Sequence, residues 1–163
     1  MILTEYMCNA EMNSLWKNDE VLSGIPDRSF LGVKCRDSSR VTIRYPSDGN
    51  DDFIHANYVC GGPLFNKFIL TQAPMENTIG DFWRMVWQEK PSYIFMLIGR
   101  KDKDRCAEYW PRRPDSNSID VHGLHIHNVG ISCARDPVFR VTYIRILNDF
   151  GEEVRDGCGR RLV

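Results

Sequence analysis

Cys106 stands six residues before Arg112. This C-x5-R spacing belongs to loops in which a cysteine thiolate attacks phosphorus while an arginine grips the phosphoryl oxygens. Such a loop wraps its anion in successive backbone N–H groups, and glycine permits the tight cradle. Here the intervening residues are Ala107, Glu108, Tyr109, Trp110 and Pro111. Proline removes a donor, the two aromatics are too bulky, and Glu108 repels phosphate. The spacing is present and the cradle is not.

Two other groupings invite a chemical reading. His122, His125 and His127 suggest a metal, but a zinc site needs convergent ligands from at least three positions with supporting contacts. Strand alternation puts only His125 and His127 on one face, leaving Cys133 as the remaining candidate. They read as exposed strand histidines, and no metal or other cofactor is expected. Asp149-Phe150-Gly151, with Arg135-Asp136 upstream, imitates the magnesium-binding and catalytic-loop pieces of protein kinases. The imitation breaks at Val141, where a kinase needs asparagine for its second metal, and no glycine-rich phosphate loop precedes it. The triplet reads as a hairpin turn.

The elements that must position these residues are legible in the spacing of apolar side chains. Val41–Ile43, Phe53–Val59 and Phe68–Thr71 are short strands bounded by turn-rich stretches. Ile79, Phe82, Trp83, Val86 and Trp87 recur at helical spacing and predict a helix over Asn77–Lys90 with one buried face. Thr78 and Asp81 have the spacing of a capping box, and Pro91 ends the helix. In this setting Trp83 and Trp87 are core residues that do no chemistry. Tyr93–Ile98 is an uninterrupted apolar run between Pro91 and Gly99, which predicts a strand buried on both faces. Leu124, Ile126 and Asn128 face one way and His125 and His127 the other. Phe139–Leu147 is a longer strand that turns at Asn148–Gly151 into a return strand from Glu152. The pattern implies a layered α/β fold: a twisted mixed sheet flanked by helices.

The totals restrict the function. At 163 residues and a formal net charge of -1, the chain suits one domain and offers no basic surface for nucleic acid. No apolar run reaches the ~18 residues of a membrane span, and the start has no basic n-region of a signal peptide. Six cysteines, with no C-x-x-C pair among them, read as reduced thiols and a cytoplasmic location.

Four stretches, in order, resemble the classical protein-tyrosine phosphatases. Asp37-Ser38-Ser39-Arg40-Val41 resembles D-x-S-R-V, and Asp52 to Tyr58 (D-F-I-H-A-N-Y) resembles D-Y-I-N-A-N-Y. Thr71 to Trp87 (T-Q-A-P-M-E-N-T-I-G-D-F-W-R-M-V-W) is similar to T-Q-G-P-x-x-x-T-x-x-D-F-W-x-M-V-W. Arg105 to Pro111 (R-C-A-E-Y-W-P) resembles K-C-x-x-Y-W-P. The resemblance divides the chain into a polar segment over 1–29, a partial phosphatase domain over 30–155 and an unpatterned tail over 156–163. It implies an incomplete tyrosine-phosphatase-like fold and phosphotyrosine-containing proteins as partners.

In the family the catalytic cysteine and arginine come from H-C-x-x-G-x-x-R and the general acid from W-P-D. Neither motif occurs in these 163 residues. The resemblance therefore carries over no catalytic residue. It implies two substrate contacts: Phe30 at the position of the ring that stacks on phosphotyrosine, and Arg105 at the rim of the pocket. Gly32 replaces an acid that grips the substrate backbone. Three readings follow: part of a phosphatase, inactive as this chain; a pseudophosphatase that binds phosphotyrosine or a partner protein; or a structural remnant without function.

Overall fold

The computed structural model describes residues 2–4, 35–46, 51–61, 64–98, 106–114, 116–132 and 140–154. Phe30, Arg105, Cys133 and Cys158 lie outside them, as do the 30–34 and 155–163 stretches. Strands β1 (Ile2–Thr4), β2 (Arg40–Thr42), β3 (Phe53–Gly61), β4 (Leu64–Thr71) and β5 (Ile94–Met96) form one sheet in the order β2-β3-β4-β1-β5. β2, β3 and β4 run antiparallel in turn, whereas β1 lies parallel to both β4 and β5. This is the mixed sheet expected. A second, antiparallel sheet joins β6 (Ile119–Val121), β7 (Leu124–Ser132) and β8 (Val141–Asn148).

Helix α1 (Ile79–Glu89) packs on β3 of the first sheet and on β6 of the second. That position explains a departure from the predicted single apolar face. Phe82, Trp83, Arg84, Met85 and Val86 are buried consecutively, so the middle of the helix is enclosed on more than one side. The core is continuous across the layers, joining Ile2, Val41, Ile54 and Ile69 through Phe82, Trp83 and Met85 to Leu124, Ile126, Ile144 and Ile146. Trp87 is partly buried against this cluster and meets Tyr45 at 5.5 Å between ring centroids. Both tryptophans are core residues. Among the described residues α1 is the sole α-helix, so the expected set of flanking helices is reduced to one.

Three further expectations are corrected. Thr78 does occupy the N-cap position, but its hydroxyl makes no capping hydrogen bond to α1. It accepts instead from the Met75 N–H at 2.9 Å, and Asp81 pairs with Arg84 at 3.1 Å, so no capping box forms. The Tyr93–Ile98 run yields only three strand residues, and Tyr93, Phe95 and Leu97 are 45%, 40% and 55% exposed rather than buried. Among the described residues β5 stands last in the order of its sheet, with one face partly exposed. The polar reading of the first residues missed β1, which places Ile2 in the core with its N–H donating to the Tyr93 carbonyl at 2.9 Å. Three residues are too few for a periodic signal.

The tail matches its pattern. Leu124, Ile126 and Asn128 are buried on one face of β7, and Asn148–Gly151 turns the chain so that Glu153 bridges back to Leu147. His122 and Gly123, at φ 48° and 71°, make the two-residue turn between β6 and β7. Positive φ at both positions is what a tight type I′ hairpin requires.

Candidate functional site

The residues matched to family motifs are occupied with holding the chain to itself. Arg40 reaches back to Asp37 at 3.1 Å and across to Asp52 at 3.2 Å, fastening the D-x-S-R-V stretch to the start of β3. Asn57 is buried and donates to the Arg36 carbonyl at 2.6 Å and to the Ser39 hydroxyl at 3.1 Å. Arg84, almost fully buried, donates to the Tyr45 and Asp51 carbonyls as well as to Asp81. A buried guanidinium is tolerable only when its donors are matched in this way. Arg84 thus ties α1 to both ends of the connection between β2 and β3.

The segment from Cys106 to Arg112 is the most tightly held of all. Tyr109 is buried, packing edge-on against Phe82 at 5.0 Å and against Trp110 at 4.5 Å. Its carbonyl accepts from the Trp83 indole N–H at 2.7 Å. The Ala107 N–H donates to the Pro74 carbonyl at 2.7 Å, and the Pro111 carbonyl accepts from the Asn128 amide at 2.9 Å. One end is therefore fixed to the strand-to-helix connection and the other to β7. Arg112 lies over the Trp110 ring at 4.5 Å and pairs with Glu108 at 3.4 Å.

This geometry closes the question raised by the C-x5-R spacing. The Ala107 N–H that a phosphate cradle would need is already committed to Pro74. Burial pushes the Cys106 thiol above its ordinary pKa, with Arg112 opposing only in part. A nucleophilic cysteine needs the opposite shift, because the thiolate is the reactive form. Cys35 is further from reactivity: burial pushes it up to about 11, and its thiol donates to the Asn57 side-chain oxygen at 3.3 Å. In both, burial disfavours the thiolate that a nucleophile needs.

The structure treats the histidines differently from one another. His125 uses both ring nitrogens on carboxylates, Nδ1 with Asp120 and Nε2 with Asp149, each at 2.9 Å. A ring engaged on both nitrogens has none left for a metal. The edge of His122 packs over Gly80 at the start of α1. Sequence reasoning put His125 and His127 on a common face and missed the two carboxylates. Asp120 alternates plainly enough, but Asp149 reaches His125 only because the turn after β8 folds back over the β6–β7 hairpin. Of the two expected substrate contacts, Phe30 and Arg105 both lie outside the described residues.

The family model described as protein-tyrosine phosphatase matches residues 28–156. The chain is 52% identical over 123 residues to "Inactive protein-tyrosine phosphatase egg-5" of Caenorhabditis elegans, a match covering 74% of this chain and 16% of that protein. It is 35% identical over 146 residues to "Probable tyrosine phosphatase protein N1" of Microplitis demolitor bracovirus, covering 88% of this chain and 45% of that one. Against "Receptor-type tyrosine-protein phosphatase F" of Homo sapiens it is 37% identical over 102 residues, 60% of this chain and 5% of the receptor. The chain thus spans less than half the length of these relatives.

Proposed function

The chain belongs to the protein-tyrosine phosphatase family, and from that premise we propose that it works without catalysis, as a pseudophosphatase whose fold serves to bind partner proteins. One observation carries the reading. The single cysteine-arginine pair at phosphatase spacing among the described residues, Cys106 and Arg112, is built into the core with its backbone donor committed and its thiol protonated. The motifs that would supply the nucleophile, the phosphate-binding arginine and the general acid do not occur in the 163 residues. The relative at 52% identity, itself named inactive, supports the same reading.

Phosphotyrosine-containing proteins are the partner class the family suggests. Phe30 would supply a stacking ring and Arg105 a cation at the rim. Without a phosphate cradle these two contacts hold a phosphotyrosine only weakly, with Kd above about 1 mM. No helix among the described residues is long and apolar enough to cross a membrane. A cytoplasmic location accords with Cys35 and Cys106 being free thiols.

The test is phosphate release from a phosphotyrosine peptide by the purified chain, with Cys106→Ser and Cys158→Ser as controls. Loss of the nucleophile in a comparable covalent mechanism costs on the order of 10⁶ in turnover, about 8 kcal/mol. The expected result is no release above background. Turnover that disappears in either variant would overturn the proposal.

A further inference from the structure

A neutral imidazole carries one proton on its two ring nitrogens, so it can donate to only one acceptor. The carboxylates of Asp120 and Asp149 have no proton to offer in return. Yet His125 lies 2.9 Å from each of them, through Nδ1 and through Nε2. With a neutral ring, one of these contacts would set a lone pair against a carboxylate oxygen. Both are satisfied together only by the imidazolium, which donates from each nitrogen. The arrangement therefore specifies a protonation state by geometry alone.

The three residues come from three places. Asp120 is on β6, where the Ser118 hydroxyl also donates to it at 2.8 Å. His125 is on β7. Asp149 is in the turn that follows β8, and its N–H donates to the Gly123 carbonyl in the β6–β7 turn at 3.2 Å. The carboxylate of Asp149 lies so close to Gly123 that a Cβ there would meet Oδ2 at 2.8 Å. The same turn is organised by Asn148, whose side-chain oxygen accepts from the N–H groups of Phe150 and Glu152 at 3.0 and 2.8 Å. At its tip Phe150 is 90% exposed.

We propose that His125 is a proton-operated fastener: as the imidazolium it ties the Phe150 turn to the β6–β7 hairpin, and losing its proton frees the turn to move. A neutral ring keeps whichever carboxylate receives its one hydrogen and repels the other. Asp120 retains the Ser118 hydroxyl when the ring lets go. Asp149 retains only the long backbone contact to Gly123, so the turn is the side released.

The two facing carboxylates act in the same direction. His125 faces Asp120 from β6 and Asp149 from the turn. His127 on its own strand lies opposite Arg145 of β8, which is itself paired with Glu153. His122 is directed away, onto Gly80. The hydrogen bonds that His125 donates to Asp120 and Asp149 raise its pKa, while the same contact lowers that of Asp120. A histidine whose folded pKa exceeds the unfolded value contributes its full stabilisation below the ordinary value near ~6.5. That contribution is lost as pH rises through the folded pKa. The carboxylate partner contributes above its ordinary range and loses this only in acid, so the fastener is closed at mildly acidic pH and opens towards alkaline pH.

The test is NMR on the whole chain, following the His125 ring protons and the hydrogen-exchange protection of the Asp149 amide from about pH 5 to 9. The ring should titrate above ~6.5, and Asp120→Asn and Asp149→Asn should each bring it down. Amide protection, corrected for the intrinsic pH dependence of exchange, should fall several-fold across that same titration. In His125→Gln it should be low and independent of pH. A ring titrating at or below the ordinary value would overturn the proposal. So would a raised pKa with Asp149 protection that does not change through the titration.

Discussion

Among single residues, the cysteines separate this chain most clearly from a working phosphatase. A catalytic thiol is stabilised as the anion, whereas Cys35 and Cys106 are stabilised as the neutral form by burial. Alkylation reports the thiolate population. With iodoacetamide at pH 8 and site-resolved mass spectrometry, both cysteines should react more slowly than a free thiol of ordinary pKa, ~8.5. For Cys35, at about 11, the thiolate fraction at that pH is near one part in a thousand. Its rate should still be climbing at pH 9 and 10, where an activated cysteine would have reached a plateau. Rapid, pH-independent labelling of Cys106 would show that the segment is not held as described. The failure of the C-x5-R cradle was legible from residue types alone, because proline and two aromatics cannot encircle an anion. What fills the segment's time instead was not, since the partners Pro74, Trp83 and Asn128 are distant in sequence.

At the scale of elements, α1 is the piece on which the two sheets meet. Trp83 is its pivot: buried, in edge contact with Phe82 at 5.3 Å and donating to the Tyr109 carbonyl. Trp83→Ala removes the ring and leaves that buried carbonyl without its donor. The expected cost is about 3 to 5 kcal/mol, the range for truncating a buried aromatic. Trp83→Phe keeps most of the burial but not the hydrogen bond, and should cost clearly less. Chemical denaturation of the two variants checks this, and equal costs would deny the indole N–H a role. The spacing of Ile79, Phe82, Trp83, Val86 and Trp87 was enough to find the helix, because helical periodicity is local. It could not show that Arg84 and Met85 are buried as well. Their burial depends on partners distant in sequence: the β2–β3 connection, whose Tyr45 and Asp51 carbonyls receive Arg84, lies more than thirty residues earlier. The misreading of Tyr93–Ile98 has the converse cause: a continuous apolar run tells that two faces can be buried, and only the neighbours decide whether they are.

On the scale of the whole molecule, the partly exposed apolar face at β5 stands out among the described residues. Among the described residues the first sheet ends there with Tyr93, Phe95 and Leu97 alternating outward, and the Tyr93 and Phe95 rings are in contact at 6.3 Å. Isolated exposed apolar residues are ordinary on protein surfaces; three on one strand face at the end of a sheet are not. Edge strands of this character template pairing with other chains, and natural sheets usually place charge or proline there to prevent it. Neither stands among residues 93 to 98. The chain should therefore self-associate as its concentration rises. Sedimentation velocity from low micromolar to about a hundred micromolar should show the weight-average size growing. Phe95→Lys, which puts a charge at the centre of the exposed face, should hold the chain monomeric over the same range. Phe150→Lys alters an even more exposed aromatic on a turn with no strand edge beside it, and should leave the association unchanged. A monomer throughout, or equal suppression by both variants, would show that β5 is not the surface through which copies of this chain meet.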